Sequence, residues 1–228
     1  MNRLALLLAA LAATVQLPGT PPRTLPAEAT AQLVTNIASA SKHDAHVWHD
    51  TAPVNADGTV NAYIEIPRGE RTKWELDMQA NARAVDRVIP EAIGAYPVNY
   101  GFVPQTVFYD GDPFDALVLG PPIEGGTTVR GAIVGLMFMS DEKGLDSKVV
   151  LSPVDEAGLA LHPLTDADKD RIGRYFDSYK RLEPDAFSDV PGWGSIAEGR
   201  AHVELAHAFF VTCAKAAGDC VLYSPDGR

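Results

Sequence analysis

Residues 110–121 read DGDPFDALVLGP, and they restrict the fold more than any other stretch of the chain. Asp110, Asp112 and Asp115 fall within six residues, and the apolar run Ala116–Leu119 follows at once. Carboxylates this close repel one another and raise each other's pKa. A chain that opens a buried strand on such a cluster must bring it to water, to basic side chains or to metal ions. A calcium loop of EF-hand type needs Asp at positions 1, 3 and 5, Gly at 6 and Glu at 12. Counted from Asp110, those later positions hold Phe114, Asp115 and Pro121, so that reading fails. Read alone, the hexapeptide suits a plain turn equally well, since Asp-Gly-Asp-Pro is good turn chemistry.

Around this stretch, strand signals crowd together. Tyr63–Pro67, Lys73–Asp77, Ala84–Ile89, Ala116–Leu119, Val129–Met139 and Val149–Leu151 alternate or run apolar, with Gly and Pro between them. Many short strands at close spacing predict a small barrel or sandwich. The period then changes. Thr165 is placed to cap a helix on which Ile172, Phe176, Tyr179 and Leu182 recur, with Tyr179-Lys180 on that helix. Ser195 is placed to cap a second helix carrying Ile196, Val203, Leu205, Phe209 and Phe210. Strands followed by helices make an α+β layout.

The N-terminus has a different grammar. Met1-Asn2-Arg3 precedes the apolar LALLLAALAATVQL, and a Pro-rich PGTPPRTLP follows. This reads as a signal peptide over about residues 1–25, too short in its apolar part for the ~20 residues of a spanning helix. Residues 26–45 read as a Pro-rich, irregular spacer, and the irregular arm runs on to about residue 58; the globular domain is expected over 46–228. Localisation is therefore expected to be exported, periplasmic or extracellular, and cytoplasmic if the leader is not functional. His43, His46 and His49, spaced by three, are the residue type for zinc, but no Cys is close and a turn follows, so a surface arm is expected. Cys213 and Cys220 are the only cysteines, and export would permit a disulfide between them.

Glu65, Lys73, Glu75, Arg87, Asp141, Asp146 and Lys148 lie in or beside the strand segments, with Tyr96 and Tyr100 near the turn AYPVNYG and Tyr179-Lys180 further on. Hard oxygen ligands select hard cations, and Mg²⁺ shares its shell with water and phosphates. Divalent ions would remove the repulsion among the aspartates and acidify a water between them. Lys and Arg would supply donors to a polyanion. Carboxylates for metal beside cations for phosphate suit phosphoryl-transfer chemistry. The chain's formal net charge of -11 argues against binding nucleic acid.

With these residues in view, the chain resembles the family I soluble inorganic pyrophosphatases. DGDPFDA fits the D-x-D-P-x-D signature, and EIPRGERTKWELD, VDRVI, AYPVNYGFVPQT, GLMFMSDEKGLDSKVV and YFDSYKRLE follow the family's order, from about residue 46 to 194. HVWHD resembles an N-terminal arm of some members. The resemblance implies a small five-stranded OB-like β-barrel with flanking C-terminal helices, and Mg-dependent hydrolysis of pyrophosphate with several Mg²⁺ per site. It implies metal ligands at Asp110, Asp115, Asp141 and Asp146, with Glu65 acting through water. It implies Asp112 as general base, Tyr100 beside the nucleophile or a carboxylate, and Lys73, Arg87, Lys148, Tyr179 and Lys180 on the phosphates. Glu75 and Tyr96 would support the site.

Two departures bear on assembly. The Lys148–Tyr179 connection is shorter than in hexameric members, and Arg174 and Ser178 stand where those often carry interface histidines. A homo-oligomer is expected, but not specifically a hexamer, and no membrane contact is expected after leader removal. The rival function is an exported, non-catalytic binder of divalent metal or polyphosphate on the same fold. Such a binder could dispense with Asp112, Lys180 and Tyr100, and all three are present.

Overall fold

The computed structural model describes residues 22–24, 27–215 and 221–223. In chain order these form β1 (Pro22–Thr24), α1 (Ala27–Ala40), α2 (Val47–Asp50), β2 (Val60–Ile66), β3 (Thr72–Asp77), β4 (Ala82–Val88) and β5 (Asn99–Phe102). Then come β6 (Asp115–Val118), β7 (Thr128–Asp141), β8 (Gly144–Leu145), β9 (Lys148–Pro153), α3 (Asp166–Ser178), β10 (Ser188–Gly194), α4 (Ile196–Lys215) and β11 (Val221–Tyr223).

The main sheet runs β10-β7-β2-β5-β6-β9, and β9 also pairs with β7. That last pairing closes β7, β2, β5, β6 and β9 into a five-stranded ring. All neighbours are antiparallel except β6 and β9, which run parallel with Leu117 opposite Val150. Strand β10 extends the sheet outside the ring on β7, and β3 and β4 form a separate antiparallel hairpin. The expected small barrel with C-terminal helices is the architecture present.

The strand period of two divides the core. Ala116, Val118, Val149 and Leu151 join one apolar cluster with Val203, Ala206, Phe209 and Phe210 of α4. Their immediate neighbours Leu117 and Val150 join another with Ile172, Tyr175 and Phe176 of α3. Each helix thus covers one face of the same strands. Both helices start as the sequence suggests. Thr165 accepts from the Asp168 N–H while the Asp168 carboxylate accepts from the Thr165 N–H, a reciprocal cap. Ser195 and Glu198 repeat the arrangement at α4.

Four segments differ from expectation. The arm expected to be irregular over 30–58 is helical through Ala40, because its small and apolar residues recur with helical spacing once Pro26 is passed. Helix α3 stops at Ser178, so Tyr179 is its C-cap and Lys180 lies beyond it; the Lys180 ammonium is drawn to Asp141 and Glu142 instead. Strand β5 was hidden by Gly101. A Cβ there would overlap the Tyr63 carbonyl, so glycine is what lets β5 pass close over β2. Strand β10 was hidden by Pro191 and Gly192, which sit where its register shifts against β7.

At the termini, β1 pairs with β11, with Pro22 opposite Tyr223. The signal-like segment otherwise lies outside the described residues. Cys213 is disulfide-bonded, and Cys220, its only possible partner within the chain, also lies outside them. Among the described residues no helix is long and apolar enough to cross a membrane.

Candidate active site

The aspartate stretch is a loop fastened at its base. Thr106 Oγ donates to the Val103 carbonyl at 2.5 Å and accepts the Phe114 N–H at 2.8 Å. The Val103 N–H reaches back to the Phe114 carbonyl at 2.9 Å, closing the neck. Trp48 Nε1 of α2 donates to the Thr106 carbonyl, and the Val107 N–H donates to Ala206 of α4. The loop tip turns at Gly111 with φ +91°, where only glycine is unstrained. Phe114 points into the core, which leaves Asp110, Asp112 and Asp115 to line a cavity of about 220 Å³.

Of the residues implied for the site, all but Lys148 line this cavity. Strand β2 brings Glu65, the β3–β4 hairpin brings Lys73, Glu75 and Arg87, and β5 with its approach brings Tyr100 and Tyr96. The end of β7 brings Asp141, the turn before β9 brings Asp146, and the end of α3 brings Tyr179 and Lys180. Lys148 is buried at the floor, its ammonium 2.5 Å from Asp115 Oδ2 and 2.8 Å from Asp146 Oδ1. Tyr100 donates its hydroxyl to the same Asp115 oxygen at 2.6 Å.

Four further residues belong to the constellation. Glu142 accepts from Lys180 at 2.7 Å, beside the 2.6 Å contact of Lys180 with Asp141. Glu183 holds Arg87 at 3.0 Å, and Asp86 bridges Arg87 at 2.8 Å and Lys73 at 3.1 Å. Lys143 faces Asp110, Asp112 and Asp141 from the β7–β8 turn. Adjacency within SDEKG, VDR and YKRLE was the available signal for all four. Lys73 also pairs with Glu75. The three histidines of the arm do not gather a metal. His46 Nδ1 caps α2, His43 meets the Gln79 carbonyl, and His49 meets Asp50.

The electrostatics are those of a crowded anionic pocket. Burial pushes the Glu65 carboxyl up to about 8, although the Leu76 N–H bonds it at 2.7 Å. Burial, with the Asp110 charge alongside, pushes Asp112 up to about 7, even though its outer edge is open at the cavity mouth. Asp110 and Asp146 are also raised, first by burial and then by Asp115. Burial works to lower the Lys148 pKa, but Asp115 and Asp146 outweigh it and hold the ammonium charged. Tyr96, Tyr100 and Tyr179 are held protonated by burial, so each can donate.

This donor set fits hard divalent cations. The ligands are all oxygens, four of the carboxyls are held above their usual range by burial and mutual repulsion, and a bound cation removes that penalty. Among the described residues, no three carboxylate, imidazole or thiol groups are already gathered tightly enough to clasp an ion. The Lys148 ammonium stands between Asp115 and Asp146 instead. Arg87 Nε is buried without a hydrogen-bond partner, a donor suited to an incoming anion.

The comparisons point the same way. The family model described as "Inorganic pyrophosphatase" matches residues 62–210, which leaves the HVWHD arm outside. An inorganic pyrophosphatase of Saccharolobus solfataricus is 37% identical over 158 residues, covering 66% of this chain and 91% of that protein. One of Ralstonia nicotianae is 40% identical, covering 64% and 86%. Among solved structures, the inorganic pyrophosphatase from Thermus thermophilus superimposes with a TM-score of 0.67 at 33% identity, covering 73% of this chain and 99% of that one. That of Coxiella burnetii gives 0.66 at 36% identity, covering 70% and 99%. The chain belongs to the inorganic pyrophosphatase family.

Proposed function

We propose that this protein hydrolyses inorganic pyrophosphate to two phosphates, with Mg²⁺ as the working metal and several ions per site. The family is metal-dependent. The observation that carries the reading is the convergence, on one small cavity, of nine carboxylates and four basic side chains, with the buried Lys148 bonded to two of the carboxylates. Asp110, Asp115, Asp141 and Asp146 would hold the cations, with Glu65 acting through water. When bound, the metal supplies positive charge to phosphoryl oxygens and acidifies the attacking water.

The chain's own side chains account for the rest. Lys73, Arg87, Lys148, Tyr179 and Lys180 bind the two phosphoryl groups, Arg87 as a fork and the lysines as point charges. Asp112, raised to about 7 and reachable from the cavity mouth, takes the proton of the attacking water. The water oxygen bonds to one phosphorus as the bridging P–O bond breaks, and the other phosphate leaves with its charge met by Arg and Lys. Tyr100 orients Asp115 through its 2.6 Å hydrogen bond. Glu75 and Tyr96 support Lys73 and the cavity wall. A non-catalytic binder has no observation in its favour.

Purified protein supplied with Mg²⁺ at neutral to alkaline pH should release two phosphates per pyrophosphate, and chelation should abolish the release. No release under those conditions overturns the reading. Residues 1–25 are read as a cleaved leader, residues 46–228 as the catalytic domain, and the working compartment as extracytoplasmic. The disulfide at Cys213 suits an oxidising compartment. Mass spectrometry of the mature N-terminus checks it: an intact Met1 on the exported protein, or retention in the cytosol, overturns the export reading. A homo-oligomer is expected, to be measured by light scattering.

A further inference from the structure

Gly111 lies at the tip of the aspartate loop, and its neighbour across the gap is not part of the barrel. A Cβ placed on Gly111 would stand 3.0 Å from the Ala29 carbonyl oxygen and 3.2 Å from the Ala29 Cβ. Ala29 is in the first turn of α1, upstream of the residues matched by the family model. So the loop meets helix backbone there; the positive φ favours glycine, and a Cβ would press on α1.

The helix is seated by its inner face. Ala29, Leu33, Asn36 and Ala40 recur at helical spacing, and the last three are 2%, 6% and 0% exposed. Leu33 and Ala40 share an apolar cluster with Phe108, Tyr109 and Phe114, the residues on either side of the loop tip. Inside the loop, the Phe108 N–H donates to the Asp112 carbonyl at 2.7 Å and the Gly111 N–H donates to Phe108 at 3.0 Å. The loop is therefore gripped from within by its own turn and from outside by α1.

We propose that α1 is a positioning element for the metal-binding loop. Its first turn, seated on Gly111, holds Asp110 and Asp112 in the arrangement that receives the divalent cation. This rests on the reading of Asp110 as a metal ligand. A loop free on its outer side would populate other conformations, and metal affinity falls in proportion to the competent fraction. The effect falls on metal binding and leaves the saturated enzyme's rate in place.

The test uses the full chain carrying Leu33→Asp, which places a charge where the helix docks. Magnesium binding to the metal-free protein is measured by calorimetry without substrate, beside hydrogen exchange of the Phe108–Asp112 amides. If about one loop in ten keeps its arrangement, the Mg²⁺ Kd rises about tenfold, and half-activating Mg²⁺ rises with it. The loop amides exchange faster, and kcat at saturating Mg²⁺ stays within about twofold of the wild type. Gly111→Ala should weaken Mg²⁺ binding less in the Leu33→Asp background than in the wild type, because the Ala29 contact is already gone. An unchanged Kd while α1 amides exchange freely overturns the proposal, as does a lowered kcat with unchanged Kd. If Leu33→Asp does not fold, Leu33→Ala is read by the same criteria. Wild-type protein that binds no Mg²⁺ overturns the metal reading as well, whereas equal binding by wild type and variant overturns only this inference.

Discussion

The ammonium of Lys148 stands 2.5 Å from Asp115 Oδ2 with its side chain 1% exposed, so a side chain holds the charge balance at the centre of the acidic cavity. Asp146 shares that ammonium at 2.8 Å. Lys148→Met should leave two carboxylates facing one another without a counter-charge. Removing one partner of a buried ion pair costs about 3–5 kcal/mol. For a chain of this size that lowers Tm by about 10 °C. Calorimetric scans of metal-free protein should show the drop, and saturating Mg²⁺ should recover most of it. An unchanged Tm without metal would remove Lys148 as the internal counter-ion.

Of the three loop aspartates only Asp115 bonds a basic side chain, and Asp112 is the more open of the other two. Asp112→Asn should fold with a Tm close to the wild type and lose about 10²–10⁴-fold in kcat, the usual contribution of a positioned base. Phosphate release at saturating Mg²⁺ measures it. Turnover within tenfold of wild type would assign the base elsewhere.

The raised carboxyls make stability depend on pH with a definite sign. Glu65 is pushed up to about 8 from an ordinary 4.5, so between those values the folded chain binds a proton that the unfolded chain has released. Stability is therefore greatest at low pH within that window and falls as pH rises from about 5 to about 8. For one proton the slope approaches about 1.4 kcal/mol per pH unit. Urea unfolding of chelator-treated protein at three pH values checks this. Glu65→Gln should flatten the dependence, and Mg²⁺ should oppose it. A metal-free stability that rises over the same range contradicts the assignment.

Arg87 is held by Asp86 and Glu183 yet keeps Nε buried and unpaired. Arg87→Lys preserves charge and loses the fork. A hydrogen bond to a charged group contributes about 1.5–3 kcal/mol, so KM for pyrophosphate should rise about 10- to 100-fold. Steady-state kinetics at fixed free Mg²⁺ gives the value. A KM within twofold of wild type would argue that Arg87 serves the hairpin and not the substrate.

Much of this site was legible because its chemistry is written in short runs. DGDPFD, SDEKGLDSK and YKRLE each carry several polar groups beside an apolar segment, and the fold brings those runs to one cavity. What escaped was shaped by contacts between distant segments. Gly101 looks like a breaker until Tyr63 is seen beneath it. Lys180 reads as part of the helix because Tyr179 keeps the helical period, yet the pull of Asp141 on Lys180 comes from 39 residues away. Helix α1 was passed over because proline and small residues precede it, and the apolar cluster its inner face joins, Phe108 and Phe114 included, is drawn from distant parts of the chain.

The five-stranded ring draws its cavity residues from β2, β5, β6, the end of β7 and the turn before β9, so no smaller piece of the chain carries the set. Turnover is then an assay of completed folding. Closure joins β2 to β7, with Val60 opposite Gly131, a pairing distant enough in sequence to form on the slower, millisecond-to-second scale of barrel topologies. A refolding chain should regain helical dichroism early and pyrophosphate hydrolysis only when the last seam shuts.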